Sequence, residues 1–182
     1  MPDEKDRTVY REAGFATARI FLGIEFEVVS IYRDGRSEDQ RKDYQGPARD
    51  WRVKRSGVDV DAFEKLDNEL IACFAGACAE DMHTGAYGPA RVPDDDPEAL
   101  ALIGRVFKPG NPLARMYMRE AWIRTYRFLR SHWRIVDALA KALRESKQLT
   151  ADEARAVAND ALLDQWQVSK DAPPPAADER RR

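Results

Sequence analysis

The side chains best placed for acid–base chemistry lie close to the N-terminus of this sequence. In TVYREAGFATARIFLG, residues 8–23, Glu12 follows the cation Arg11, and Phe15 comes four residues after Arg11. On a helix, positions 11 and 15 share one face a turn apart, so both would border the same site as Glu12. A carboxylate can act there as a general base, but a guanidinium has no lone pair to offer a metal ion. The pattern therefore supplies one proton acceptor and no nitrogen ligand.

Other residues with metal or redox chemistry are few. The chain has two histidines, His83 and His132, and two cysteines, Cys73 and Cys78. The cysteine spacing is not Cys-x-x-Cys and places the two thiols about 140° apart on a helix, so we expect reduced, buried thiols. A site assembled from Cys78, His83 and an aspartate is an alternative, although its spacing fits no known zinc pattern.

Apolar spacing and capping residues divide the chain into helices and one strand. Helices are predicted over residues 8–22, from 59 or 61 to about 82, 97–107, 112–146 and 151–166. Asp96 and Asn111 are the expected N-caps before Pro97 and Pro112, and Thr150 to Glu153 forms a capping box. Residues 24–33 are predicted as a strand, and 34–58 as a long polar loop. We therefore expect a mainly α fold of the α+β class, with a small strand or sheet after the first helix.

Composition and charge limit the domain organisation and the partners. The 182 residues fit one domain at 8–166, between a flexible N-terminus at 1–7 and a disordered Pro-rich, charged tail at 167–182. The 30 basic and 32 acidic residues nearly cancel, so we expect no nucleic-acid partner. No secretory signal and no apolar run of about 18 residues is present, so we expect a cytoplasmic protein without membrane insertion.

The basic and aromatic stretch RTYRFLRSHWR, residues 124–134, can be interpreted in two ways. Arginines interleaved with aromatic rings are typical of surfaces that bind single-stranded nucleic acid. At helical spacing, however, Tyr126, Leu129 and Trp133 form one stripe, and the arginines lie mainly elsewhere. We favour a packed stripe with a solvated basic side.

Four segments, in this order, resemble the peptidase domain of the membrane-bound AAA proteases, the FtsH-type zinc metallopeptidases. They are YREAGFATARIFLG, IEFEVVSIY, IACFAGACAEDMHTG and DDDPEALALI, and the later SHWRIVDALAKALRESKQLTADEARAV is similar to the final helix pair of that family. The likeness spans roughly residues 8–160 and is greater still to small bacterial proteins that contain this domain alone. It implies a helical, zincin-like peptidase fold. No Gly-x-x-x-x-Gly-Lys phosphate loop is present, so ATP-driven unfolding would need a partner.

The resemblance also implies that the metal site has been lost. In the family, His-Glu-x-x-His provides two zinc ligands and a glutamate that activates the bound water. Arg11 and Phe15 replace the two histidines, and Glu12 remains as a vestigial general base. Asp95 best matches the third ligand, with Asp94 and Asp96 as rivals. We therefore expect no zinc cofactor and no peptidase activity.

Loss of the ion would leave carboxylates without a cation, and Arg11 can supply the missing charge. We predict a bidentate ion pair between Arg11 and either Asp95 or Glu80. The expected binding cleft comprises Glu12, Glu80, Asp95, Val28, Val29 and Ile31.

The predicted function is that of a stand-alone pseudo-metallopeptidase that binds a peptide or protein, for example by β-augmentation along the strand at 24–33. Two alternatives remain. One is an active zinc metalloendopeptidase with a rebuilt site, and the other is an unrelated helical protein-interaction module.

Overall fold

A computed structural model describes residues 4–31, 60–86 and 96–171, and for residues 60–62 and 165–171 it describes the backbone alone. The helices are α1 Glu4–Leu22, α2 Val60–Thr84, α3 Pro97–Gly104, α4 Pro112–Ser131, α5 Trp133–Ser146 and α6 Ala151–Asp171. The strands are β1 Val28–Ser30 and β2 Gln148–Thr150, which form one antiparallel two-stranded sheet. The predicted mainly helical fold with a small sheet is therefore confirmed.

The predicted caps of α3 and α4 are confirmed. The Asp96 carboxylate accepts hydrogen bonds from the backbone N–H groups of Glu98 and Ala99, both at 2.9 Å. The Asn111 side chain accepts one from Leu113 N–H at 3.0 Å, and a proline follows each cap. These bonds satisfy donors that the first helical turn leaves unpaired.

The predicted capping box of α6 is also confirmed. Thr150 N–H donates to Glu153 Oε2 at 2.8 Å, and Glu153 N–H donates to Thr150 Oγ1 at 3.3 Å. The helix then extends to Asp171, beyond the predicted end at residue 166. Residues 167–171 of the predicted disordered tail are therefore helical, whereas residues 172–182 lie outside the described part of the chain.

The N-terminal boundary of the first helix was predicted too late. Helix α1 begins at Glu4, so residues 4–7 of the predicted flexible N-terminus are helical. Glu4 and Asp6 lie in the first turn, where carboxylates favour the helix dipole. Thr8, the predicted cap, lies inside the helix, and its hydroxyl donates to the carbonyl of Glu4 at 3.2 Å. The C-terminal stop at Gly23 is confirmed by its φ of 66°.

The predicted long helix over 112–146 is divided at His132, and this prediction was wrong. His132 leaves helical geometry with φ −111° and ψ 17°, and its Nδ1 lies 2.8 Å from the carbonyl oxygen of Phe128. Its ring contacts those of Phe21 and Phe128, with centroids 4.2 Å and 4.6 Å away. Side-chain packing therefore accompanies the break, which apolar periodicity alone does not reveal.

The strand is shorter than predicted and has a partner that the sequence did not indicate. Within residues 24–31, only Val28–Ser30 form a strand, with Val29 opposite Leu149 of β2. Both side chains are buried. The predicted strand residues 32–33 and the predicted loop over 34–58 lie outside the described residues.

Helix α1 packs along both α2 and α5, and its contact with α2 is very close. A Cβ atom at Gly14 would lie 2.4 Å from Ala79 Cβ and 2.7 Å from the carbonyl oxygen of Ala75. A Cβ atom at Gly76 would lie 3.1 Å from Arg11 Cγ and from the Arg11 carbonyl oxygen. Glycine on each helix therefore allows the two backbones to meet. Among the described helices, none is both long and apolar enough to cross a membrane.

Candidate functional site

The α1–α2 contact brings one carboxylate between two guanidinium groups. Arg11 of α1 donates to Glu80 Oε2 of α2 through Nε at 2.8 Å and approaches it with Nη2 at 2.7 Å. Arg7, one turn earlier, donates to Oε1 through Nε at 2.8 Å and approaches it with Nη2 at 2.6 Å. Each arginine thus binds its own carboxylate oxygen. The predicted pairing of Arg11 with Glu80 is confirmed, but both Arg11 nitrogens contact one oxygen, so the predicted bidentate geometry was wrong. The contribution of Arg7 was not predicted.

The sequence contained a signal for Arg7. Residues 7 and 11 are four apart, so they lie on the same face of a helix once α1 is known to begin at Glu4. Placing the helix start at Thr8 removed Arg7 from that face. The error in the boundary therefore caused the error in the site.

Burial and charge differ across this triad of Arg7, Glu80 and Arg11. The Glu80 side chain is 9% exposed, and the side chains of Arg7 and Arg11 are 51% and 49% exposed. One carboxylate and two guanidiniums leave a formal excess of one positive charge. The arginines keep contact with water while their charge-assisted hydrogen bonds compensate the desolvated carboxylate.

The helix crossing explains how Arg11 reaches Glu80. Gly76 lies one turn before Glu80 on α2, and the backbone and Cγ of Arg11 pass directly over it. With no side chain at position 76, Arg11 can lie flat along α2 and extend to Glu80.

The second position of the motif, Phe15, is covered by a cation. The Arg19 guanidinium carbon lies 4.1 Å from the centroid of the Phe15 ring, a distance typical of cation–π contacts. Arg19 Nη1 also donates to the carbonyl of Glu25 at 3.3 Å. Glu12, the vestigial general base, lies between Arg11 and Phe15 along the helix and is partly buried.

The side chains at the first two positions do not fit zinc. Arg11 is engaged with Glu80, and Phe15 has no donor atom. In the part of the chain that the structure describes, no group of three or more His, Cys, Asp or Glu side chains could hold a metal ion. Asp95 and its rival Asp94 lie outside the described residues. The other rival, Asp96, uses its carboxylate to cap α3.

The alternative ligands Cys78 and His83 are used in packing. Cys78 is fully buried, and burial, followed by the nearby Asp81, raises the pKa of its thiol to about 12. The thiolate that a metal requires is therefore disfavoured. The His83 ring stacks on Tyr10, with centroids 3.6 Å apart.

Tyr10 joins three helices beside the triad. Its ring stacks with that of Trp133 of α5 at 5.8 Å, and its hydroxyl donates to Asp137 Oδ1 at 2.8 Å. Burial and the bond to Asp137 raise the pKa of Tyr10, while Arg144 opposes the rise. Since ionisation would lose this bond, the neutral hydroxyl acts here as a structural donor.

Of the three cleft residues predicted on the strand, Val28 and Val29 belong to β1, and Ile31 directly follows it. Ile31 N–H donates to the carbonyl of Lys147 at 3.0 Å, and the carbonyl of Glu27 accepts from Ala151 N–H at 2.9 Å. Because these groups alternate along a strand, the N–H and C=O groups of Val29 point toward β2, and those of Val28 point toward the opposite edge. Val29 is buried, whereas Val28 and Ile31 are partly exposed.

Comparison of this chain with known protein families, with curated proteins and with solved structures finds no match.

Proposed function

We propose that this protein contains a catalytically inactive member of the FtsH-type, zincin-like peptidase domains, and that it acts by binding a peptide or protein. The observation that carries the proposal is the engagement of Arg11 with Glu80 at the first ligand position. A fixed cation stands where the resemblance places a zinc ligand, and it is bound to a nearly buried carboxylate. A guanidinium in place of the ion supplies positive charge but not the Lewis acidity of a metal.

The chemistry of the remaining residues supports inactivity. Peptide hydrolysis by this family requires a metal ion that polarises water and a glutamate that accepts its proton. Glu12 can accept a proton, but Arg11 and Phe15 provide neither a Lewis acid nor a ligand for one. Glu12 by itself neither polarises the carbonyl group nor lowers the pKa of the water.

The binding mode that we propose is addition of an extended peptide along β1. Strand β2 occupies one edge of β1, and the backbone of Val28 is directed to the other edge. A peptide strand in this position would gain main-chain hydrogen bonds, with side-chain pockets setting its sequence. A peptide selected against the protein by display should lose affinity for a Val28→Pro variant, which lacks that N–H group. A control variant, Val28→Thr, keeps the N–H group and should bind the selected peptide.

The loss of zinc chemistry is tested by restoring the ligands. Arg11→His with Phe15→His should create an i, i+4 imidazole pair and raise zinc affinity by at least about tenfold over the wild type. Arg11→His with Phe15→Leu is the matched control, because it has only one of the two imidazoles. Zinc affinity is measured by competition with a chromogenic chelator. Circular dichroism checks that the variants are folded, which we expect because Arg7 still pairs with Glu80.

Two outcomes would contradict the proposal. Wild-type protein that binds one zinc ion per chain and cleaves unfolded casein would instead establish an active, rebuilt metallopeptidase. A folded double-histidine variant with no gain in zinc affinity would remove the support for the peptidase-like assignment and favour an unrelated helical interaction module.

A further inference from the structure

The outer face of α4 carries four exposed arginines. Arg115, Arg119, Arg127 and Arg130 are all exposed, and none forms an ion pair with any residue that the structure describes. At 100° per residue they lie within an arc of about 120°. The opposite side of α4 is buried, through Met118, Ala121, Trp122, Thr125 and Leu129. We call this outer surface the arginine face.

Arg124 shows how an arginine on this helix behaves when a partner is near. It lies between the buried side and the arginine face, and its Nη1 and Nη2 bond to the Asp67 carboxylate of α2 at 2.5 Å and 3.0 Å. The four arginines of the face have no such carboxylate within the described chain. Their like charges repel one another, and solvent and salt screen this repulsion.

Apolar side chains lie in the middle of the arginine face. Met116 is 67% exposed, and the partly exposed Ile123 follows it by seven residues. Apolar residues at this spacing form the seam along which one helix packs on another. Arginines beside such a seam can pair with acidic residues that flank the apolar seam of a partner helix.

Helix α6 presents a complementary surface. Ala156 and Leu163 are exposed and also seven residues apart, and Leu163 is 59% exposed. Asp160 and Asp164 lie along one flank of this pair, exposed and without an ion pair to any residue in the described ranges. The buried residues of α6 in this region, Ala154 and Ala158, are on the opposite side. We call this surface the acidic face.

In the described part of one molecule, the two faces lie on helices that pack on different elements. Helix α4 packs mainly on α2, whereas α6 packs on α5 and β2. Both faces are left to solvent, one basic and one acidic, each with an apolar pair at the same spacing. Since phosphate groups offer no surface to Met116 or Ile123, an acidic helix suits the arginine face better than nucleic acid does.

We propose that the arginine face of one molecule binds the acidic face of α6 in a second copy of this chain. The contact joins two different surfaces, so each molecule in a pair keeps one face free for a further copy. Association therefore leads either to a closed ring or to an open filament. The triad of Arg7, Glu80 and Arg11 takes no part, so this inference is independent of the proposed function.

Sedimentation velocity of the full chain gives the first test. The weight-average mass should rise with protein concentration at about 0.1 M NaCl and return toward the monomer at about 1 M, because the screening length falls from about 10 Å to about 3 Å. A protein that stays monomeric at about 0.1 M salt and several hundred micromolar overturns the proposal.

A charge exchange gives the second test. Arg119→Glu with Arg127→Glu should weaken self-association by at least about tenfold, and so should Asp160→Arg with Asp164→Arg. Mixing the two variants should restore association, because the unchanged face of each variant is complementary to the unchanged face of the other, and the two exchanged faces are also complementary. Circular dichroism and the melting temperature check that each variant is folded.

A matched control separates this contact from a general effect of charge. Lys5→Glu with Lys141→Glu changes the net charge by the same amount as the arginine variant, at two exposed positions on α1 and α5. The control should associate like the wild type. Equal loss in the control, or no recovery in the mixture, overturns the proposal. A monomeric wild type that binds a 20-base-pair DNA or phosphatidylserine vesicles through Arg119 and Arg127 assigns the face to that polyanion instead and also overturns it.

Discussion

Glu80 is a nearly buried carboxylate whose two oxygens are bound by two different arginines. Taking a carboxylate out of water is costly, and a single surface ion pair contributes little in return. Two arginines on one carboxylate reduce this cost further, because the carboxylate keeps one arginine if the contact with the other breaks. The half-exposed arginines lose less hydration than the glutamate does. At this residue, satisfying the carboxylate matters more than the attraction of either pair alone.

This redundancy predicts a non-additive response to substitution. Arg7→Ala and Arg11→Ala should each lower the free energy of unfolding by less than about 1 kcal/mol, because Glu80 keeps one partner. The double variant should lose about 2–4 kcal/mol, more than the sum, since it leaves the buried carboxylate unpaired. Urea denaturation of the four proteins measures the coupling. Additive losses in this cycle would show that Glu80 is adequately solvated without either arginine.

At the scale of elements, the α1–α2 crossing depends on the absence of side chains. The hydrogen that Gly14 carries in place of a side chain points at Ala79 and at the carbonyl of Ala75. This crossing sets the distance between the residues that contribute to the triad. Its stability can be probed apart from any charge.

Gly14→Ala should destabilise the protein by about 1–3 kcal/mol, because the new methyl group overlaps Ala79 Cβ and the Ala75 backbone. Adding Ala79→Gly should recover part of the loss. Gly104→Ala is the control, since its Cβ would meet nothing within 4 Å, and it should leave the melting temperature unchanged or raise it. A fully tolerated Gly14→Ala would mean that the helices separate at little cost.

The end of α5 offers a stabilising substitution. Lys147 has φ 67°, in the left-handed region that favours glycine, and its N–H bonds to the carbonyl of Leu143 at 2.9 Å. Lys147→Gly should therefore raise the free energy of unfolding by about 0.5–1 kcal/mol. Lys141→Gly, in the interior of the same helix, should lower it by a similar amount. Chemical denaturation measures both changes. If the two substitutions changed the free energy of unfolding in the same direction, this account would be contradicted.

The sequence predicted elements well where a local signal determines them. Asp96, Asn111 and the Thr150–Glu153 box bond to their own neighbours, so their roles are visible in a few residues. The break at His132 and the pairing of β1 with β2 depend on contacts between distant parts of the chain. The apolar periodicity within α4 or β1 does not indicate those contacts.

The site was predictable to the same degree. Charge accounting indicated a carboxylate partner for Arg11 and included Glu80, but it left Asp95 equally possible. Only the α1–α2 crossing, made possible by Gly76, places Glu80 under both arginines. The part played by Arg7 followed from a helix boundary that acidic first-turn residues Glu4 and Asp6 indicated only weakly.

At the scale of the whole molecule, α1 is the element that connects the others. It packs on α2 and α5 and contacts β1, α4 and α6. Polar bonds strengthen the contact with α5: Arg144 binds Asp6 at 3.0 Å, and Tyr10 binds Asp137. Because these partners are more than 120 residues apart in the chain, we expect the described elements to unfold cooperatively.

Two tyrosines predict a loss of stability in alkaline solution. Burial, with the hydrogen bond to Asp67, raises the pKa of Tyr117 to about 12 against the opposing effect of Arg124, and the pKa of Tyr10 is raised as well. A group with a raised folded-state pKa favours the protonated native state. Its contribution is therefore complete below pH 10 and is lost between about pH 10 and 12.

The measurement is the free energy of unfolding between about pH 8 and pH 11.5, for the wild type and Tyr117→Phe. The variant should be less stable at pH 8, because Asp67 loses a hydrogen-bond donor, but its stability should fall less steeply above pH 10. Parallel curves for the two proteins would show that Tyr117 ionises alike in the folded and unfolded chains.

The position of Gly76 has a consequence for hydration. Its missing Cβ lets Arg11 lie against α2, so we expect a residue without a side chain to limit how much water can reach Glu80. A larger residue at 76 would push Arg11 away from α2 while leaving every charge in place, because even a Cβ atom there would lie 3.1 Å from Arg11 Cγ. The strength of the arginine–carboxylate contacts is thus governed by the local dielectric, which is set by the smallest side chain at the crossing.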